Sequence, residues 1–254
     1  MNTFPVYPFS SLDSTMNRAR LLIEKSGQEA VADNDAFWVR ADHQTAGRGR
    51  SERQWQDRPG EALLTTLAIR RGGAADPGDH VPAVLALRIA AAVYHTLVPY
   101  LLPGLSRESI SIKWPNDILL EGRKICGILV EADPRWFLVG VGINVRGNPV
   151  ISAGHPQPTC LARYHSGAGD RGCPAPEELF HHLSREVLRF LHGPEWFAVV
   201  DAHLAWRDRE VVVEILGEVR REGEIRGISR DGALLLGRDA EPLYSGTVRL
   251  KDLK

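Results

Sequence analysis

Cysteine, net charge and uninterrupted apolar sequence are all scarce in this chain, and each shortage removes a class of function. The three cysteines, Cys126, Cys160 and Cys173, are odd in number and lack zinc-ligand spacing, which argues against a disulfide framework or a cysteine-built metal site. Reduced thiols in the cytoplasm are the simplest reading. The 31 basic and 32 acidic residues leave a net charge of −1, so no global field attracts nucleic acid and none is expected as a partner. The opening residues, MNTFPVYPFSSLDST, have no basic region followed by an apolar one, so no signal peptide is expected. One long apolar run exists, Val81 to Leu105, but it contains Arg88 and His95 and is interrupted by Pro82, Pro99 and Pro103. A central arginine costs roughly 2.5–3.5 kcal/mol on insertion into a bilayer. The run therefore reads as a buried amphipathic helix, and no membrane association is expected. There is no internal repeat, no low-complexity tract and no Walker phosphate loop.

What remains is the composition of an ordinary globular protein of 254 residues, 43% hydrophobic and 25% charged, with room for one large and one small unit. Ser14 or Thr15 can cap a helix carrying Leu21, Leu22 and Ile23 that stops at Gly27. Phe37 to Val39 and Ala62 to Ile69 read as strands, separated by a polar loop from His43 to Pro59. A helix is expected from about Pro82 to Val98. The segment Ser109 to Val145 is strand-dense, with a hairpin turning through Glu121-Gly122-Arg123, and completes four or five strands of a mixed sheet. After a long loop, Arg146 to Pro176, come helical patterns at Pro176 to Leu191 and Glu195 to Trp206. Beyond Arg209 the pattern changes to short apolar strands, with Asp231-Gly232 as a tight-turn signal. This predicts an α+β domain over 1–208 and a small β-barrel over 209–254.

Three motifs carry chemistry. The loop Gln44-Thr45-Ala46-Gly47-Arg48-Gly49-Arg50, continuing to Arg53 and Trp55, interleaves arginines with glycines, so that guanidinium groups and backbone N–H donors can meet carboxylate and phosphate oxygens together. Solvated loop arginines are the bland alternative. The block Lys113-Trp114-Pro115-Asn116-Asp117 is followed by Lys124, which opens the strand holding Cys126 and Glu131. Two lysines ending neighbouring strands would neutralise anions in one cleft. In Gly140-Val141-Gly142-Ile143-Asn144-Val145 the glycines miss the dinucleotide fingerprint, because Val145 stands where its third glycine belongs. Their missing side chains would still let a ligand lie close to the strand.

Order and spacing make these motifs resemble the catalytic domain of biotin protein ligases. The same holds for the Ser14-Thr15 pair and the Lys-x-x-Gly-Ile-Leu-Val-Glu strand from Lys124 to Glu131. The tail resembles the family's small SH3-like domain, through Gly223 to Ser229, Asp231 to Leu234 and Ser245 to Val248. The resemblance implies a mixed sheet with helices of the class II synthetase-like kind. It places Ser14, Thr15, Met16 and Gln44 at the biotin head group, and Gly47, Arg48, Gly49 and Arg50 on a loop closing over biotin and its adenylate. Lys124 falls beside the biotin carboxylate and the activated phosphate. Arg50, Arg53, Lys113, Asn116 and Asp117 fall on the nucleotide side, with Trp55 and Asn144 near the adenine.

The implied reaction joins the biotin carboxylate to the α-phosphate of ATP and then passes biotin to a lysine of a biotin carboxyl carrier protein. Arg48, Arg50, Lys113 and Lys124 would supply positive charge, Mg²⁺ would accompany the pyrophosphate, and no protein-bound metal is called for. Cys126 reads as a small buried residue rather than a nucleophile. That weighs against the alternative of the same fold, a lipoate ligase or octanoyltransferase. Two departures from the family pattern are Glu52, where glycine is common, and Met16, where asparagine is common. About a dozen residues precede Ser14, so no helix-turn-helix repressor domain is expected. The oligomeric state is open between monomer and homodimer.

Overall fold

The computed structural model describes residues 4–25, 34–50, 54–78, 82–102, 105, 109–147, 158–165, 172–215, 219–237 and 241–251. In chain order, β1 (Val6–Phe9) is followed by α1 (Thr15–Glu24), β2 (Ala36–Ala41), a hairpin of β3 (Gly47–Arg48) and β4 (Gln54–Trp55), and β5 (Ala62–Arg70). Then come α2 (Pro82–Leu97), β6 (Ile110–Lys113), β7 (Asp117–Leu120), β8 (Arg123–Ala132), β9 (Trp136–Asn144), α3 (Pro176–His192) and α4 (Trp196–Ala202). The main sheet has seven strands in the order β1-β2-β5-β9-β8-β7-β6. Only β1 and β2 among these neighbours run parallel. This exceeds the expected four or five strands; one strand not foreseen, β1, carries Pro8, tolerated here at a sheet edge.

Sequence pattern decides which strand is central. All but the last residue of β5 are buried, so the strand reads as a continuous apolar run rather than an alternation, the mark of a sheet covered on both faces. On one face lies α1, whose Met16, Ala19, Leu22 and Ile23 recur at helical spacing and pack on Phe37, Val39, Ala68 and Leu138. Ser14 takes the N-cap position with extended backbone, but neither it nor Thr15 makes the expected side-chain cap; the Thr15 hydroxyl is engaged by Gln44 instead. The helix is C-capped by Lys25; the expected stop at Gly27 lies outside the described residues.

On the other face, α2 is buried without a break from Val84 to Tyr94. It is not amphipathic as expected, because the sheet covers one side and α3 and α4 the other. Arg88 is accommodated there by donating to the carbonyls of Phe190 (3.2 Å) and Gly193 (2.7 Å), which offsets the cost of a buried charge. The helix, continued by a short turn to Tyr100, is long and apolar enough to cross a membrane, but here its residues form the core between sheet and helices.

The C-terminal strands β10 (Glu210–Ile215), β11 (Val219–Ile228), β12 (Leu234–Leu236), β13 (Glu241–Leu243) and β14 (Thr247–Leu250) form an antiparallel sheet in the order β13-β12-β11-β10-β14. The Asp231-Gly232 turn joins β11 to β12, with Gly232 at φ +82° where a side chain is strained. This tip abuts Val84 of α2, and its carbonyl accepts a 2.9 Å hydrogen bond from the Trp114 indole. Val211, Val213, Ile225, Leu234 and Val248 belong to the same buried cluster as the main sheet, so the second sheet is seated against the first.

Candidate functional site

A cavity of about 570 Å³ opens on the α1 face of the main sheet, and most of the residues singled out by sequence converge on it. Its floor is made by missing side chains. Gly127 of β8 and Gly142 of β9 are register partners, and the Trp55 indole lies over both; a Cβ on Gly142 would come within 2.8 Å of the ring. Two residues along β9, on the same face, Gly140 leaves room for the Met16 thioether. We therefore expect Gly142→Ala to displace Trp55 and change its fluorescence with little loss of thermal stability. An unchanged emission spectrum would show that the indole does not rest on the glycine floor.

One end of the cavity is neutral and polar. Ser14, Thr15 and Met16 at the start of α1 line it together with Gln44, from the loop after β2. The Gln44 Oε1 accepts from the Thr15 backbone N–H (2.7 Å) and hydroxyl (3.0 Å). Behind Gln44, the His43 ring and the buried Asp57 carboxylate meet at 2.8 Å and tie the two ends of the intervening loop together.

Arg48 flanks this neutral end from the α1 side: it reaches Glu131 at 2.8 Å and Asn17 Oδ1 at 3.5 Å, and Glu131 also takes Arg20. Burial, with the Arg48 charge nearby, pulls the Arg20 guanidinium below its ordinary pKa. The other end of the cavity carries Lys124, Arg50 and Lys113, and there Lys124 pairs with Asp117 at 2.7 Å. Arg50 donates to Asn116 Oδ1 (3.0 Å) and to the Gly246 carbonyl (3.1 Å), bridging the main sheet and the C-terminal one. Asn116 is itself fixed by donating through Nδ2 to the Ile128 carbonyl (2.6 Å). Lys113 lies 5.0 Å over the Trp206 ring. The Asn144 amide donates to the Thr159 carbonyl (3.0 Å) at the cavity edge.

Several placements differ from the sequence reading. Lys113 and Lys124 do not end neighbouring strands, since β7 runs between β6 and β8; they reach one cleft because Asp117, the register partner of Lys113, is also the ion partner of Lys124. Gly49 lines the cavity, whereas Gly47 is buried behind it, paired with Trp55 across the β3–β4 hairpin. Arg53 and Glu52 lie outside the described residues. Leu64, Thr65 and Pro158 line the cavity without having been singled out, and Leu129, Thr247 and Val248, read only as parts of strand motifs, line it too. The last two arrive on β14, and no local signal could have placed them there.

Cys126 is fully buried, and burial pushes its thiol far above the usual range despite Lys124 nearby. Its thiolate is therefore inaccessible as a nucleophile. We expect thiol alkylation of the folded protein to leave activity intact. Inactivation by iodoacetamide at neutral pH, protected by substrate, would contradict this.

Among the described residues no group of three or more histidine, cysteine or acidic side chains could hold a metal ion. Asp117 is the one carboxylate among the described cavity residues.

Comparison with known proteins gives a consistent pattern. Residues 10–148 match the model of the biotin/lipoate A/B protein ligase family. The chain is 31% identical over 209 residues to a biotin--[acetyl-CoA-carboxylase] ligase of Paracoccus denitrificans, covering 78% of this chain and 83% of that one. It is 30% identical over 206 residues to the Mycobacterium tuberculosis protein of the same name, covering 81% and 74%. Among solved structures, the biotin protein ligase of Aquifex aeolicus in complex with biotin and ATP superposes with a TM-score of 0.76 at 22% identity, over 97% of this chain and 99% of that one. At that identity the likeness concerns the fold.

Proposed function

Because the chain belongs to the biotin/lipoate A/B protein ligase family, we propose that it is a biotin protein ligase, which activates biotin with ATP as biotinyl-adenylate and transfers it to a lysine of a biotin carboxyl carrier protein. The observation that carries this reading is a single cavity with a neutral hydrogen-bonding end, a glycine floor and a cationic end. Biotin has the matching parts: a polar ring, an apolar tail and a carboxylate to be brought against a nucleotide.

In this reading Ser14, Thr15 and Gln44 hold the ring, with Met16 and Gly140 beside it, and the tail runs over the glycine floor. The carboxylate oxygen attacks the α-phosphorus of ATP and pyrophosphate leaves. Two anions approach and the pentavalent centre gains negative charge, so catalysis rests on aligned positive charge rather than on a strong base. Lys124 neutralises the reacting carboxylate and phosphate, Arg48 and Arg50 hold the loop side of the adenylate, and Lys113 balances the phosphates. Trp55 and Asn144 flank the adenine. Mg²⁺, when bound, would supply further charge neutralisation to the pyrophosphate. Asp117, with Asn116 beside it, has the hard oxygen donors this ion takes alongside phosphate oxygens. In the second step the neutral amine of the acceptor lysine attacks the carbonyl of the mixed anhydride and AMP departs. Residues 209–254 form a unit of their own in this reading, and β14 closes the nucleotide end.

Titration calorimetry with biotin and, separately, with lipoate tests the substrate assignment. Binding of biotin and not lipoate, strengthened by MgATP, is the expected result. The reverse preference would make the protein a lipoate ligase of the same family.

A further inference from the structure

Behind the polar end of the cavity stands Thr66, fully buried on β5 opposite Gly140. Its hydroxyl lies 2.8 Å from that of Thr15, which in turn lies 3.0 Å from Gln44 Oε1. Proton counting fixes every direction in this chain. A backbone N–H can only donate, so the Gln44 atom 2.7 Å from the Thr15 nitrogen must be the amide oxygen. The Thr15 hydroxyl, facing the same oxygen, must spend its one proton there. The Thr66 hydroxyl must therefore donate to Thr15. Two consequences follow for whatever enters the cavity. The Gln44 Nε2 can only donate, and Thr15 Oγ1, with its proton committed and one lone pair used, can only accept.

We propose that Thr66 is a positioning residue that locks this relay, so that Thr15 and Gln44 present an acceptor beside a donor and select a cyclic urea or amide over a ring that cannot hydrogen-bond. The inference rests on the biotin-ligase reading and deepens it, since the biotin ring offers an N–H beside a carbonyl and a dithiolane ring offers neither. Without the Thr66 proton, the Thr15 oxygen is left with an unmatched lone pair in a dry site and is held only by its own donation to Gln44. Its acceptor is then held less firmly toward the ligand.

The test is steady-state pyrophosphate exchange with wild type, Thr66→Val, Thr66→Ser and Gln44→Glu, each first checked for a cooperative melt. Thr66→Val keeps the shape and removes the proton; it should raise the KM for biotin about tenfold, the scale of one hydrogen bond, leaving kcat and the KM for ATP within about twofold. Thr66→Ser restores the hydroxyl and should restore the KM. Gln44→Glu keeps the acceptor toward Thr15 but replaces the Nε2 donor by an acceptor, so biotin binding should be lost even if Thr66→Val fails to fold. A biotin KM unchanged in Thr66→Val, equal impairment in Thr66→Ser, a parallel fall of kcat and ATP affinity, or normal biotin binding by Gln44→Glu would each overturn the relay. A wild-type protein that does not bind biotin would instead remove the functional reading on which the relay rests.

Discussion

Lys124→Gln is expected to lower biotin-dependent pyrophosphate exchange by about 100- to 1,000-fold, the loss typical of removing one preorganised group that stabilises charge in a transition state. Lys124 sits at the start of β8 with its ammonium 2.7 Å from Asp117 and close to the glycine floor, where the carboxylate and the α-phosphate would meet. Its side chain keeps 39% of its exposure, and glutamine can still donate to Asp117, so the fold should survive. The contribution to stability of a pair whose lysine is open to solvent is small. A melting temperature within a few degrees of wild type with exchange nearly abolished is the predicted combination. Near-normal exchange would remove Lys124 from the reacting centre.

Arg50→Gly should produce the second large effect, on retention rather than on chemistry. The guanidinium joins Asn116, in the turn between β6 and β7, to the Gly246 carbonyl next to β14, so its loss frees the cationic end of the cavity on two sides. The remaining cations, Lys113, Lys124 and Arg48, can still support adenylate formation. A mixed anhydride that escapes into water acylates any nearby amine. Incubation with biotin, MgATP and an unrelated lysine-rich protein should therefore label that bystander at least about tenfold more strongly than wild type does, if retention is worth a charge-assisted hydrogen bond. Equal, low labelling with adenylate synthesis intact would show that Arg50 does not retain the intermediate.

Much of this arrangement was legible in the sequence, for identifiable reasons. Strands such as β5 and β9 carry long β-leaning apolar runs, and the glycine-arginine loop, the Lys-Trp-Pro-Asn-Asp block and the Gly-x-Gly strand are contiguous, so each could be read locally. What escaped depends on contacts between distant segments. Thr247 and Val248 reach the cavity only because the Gly232 tip seats the second sheet against α2 and Trp114. Thr66 is one more residue in a continuously buried strand until Thr15 and Gln44 are brought beside it. The α2 helix was expected to show a polar face, and the helices that bury it lie about a hundred residues further along the chain. The strand β13 gives no local signal, being three residues long and containing Pro242, which strand propensity disfavours.

The central claim is tested most directly by incubating the protein with biotin, MgATP and a biotin carboxyl carrier domain and weighing the acceptor by mass spectrometry. The account predicts a gain of one biotinyl group on a single lysine, dependent on both biotin and ATP. An acceptor of unchanged mass in the presence of well-folded protein, or one modified only when lipoate replaces biotin, would contradict it.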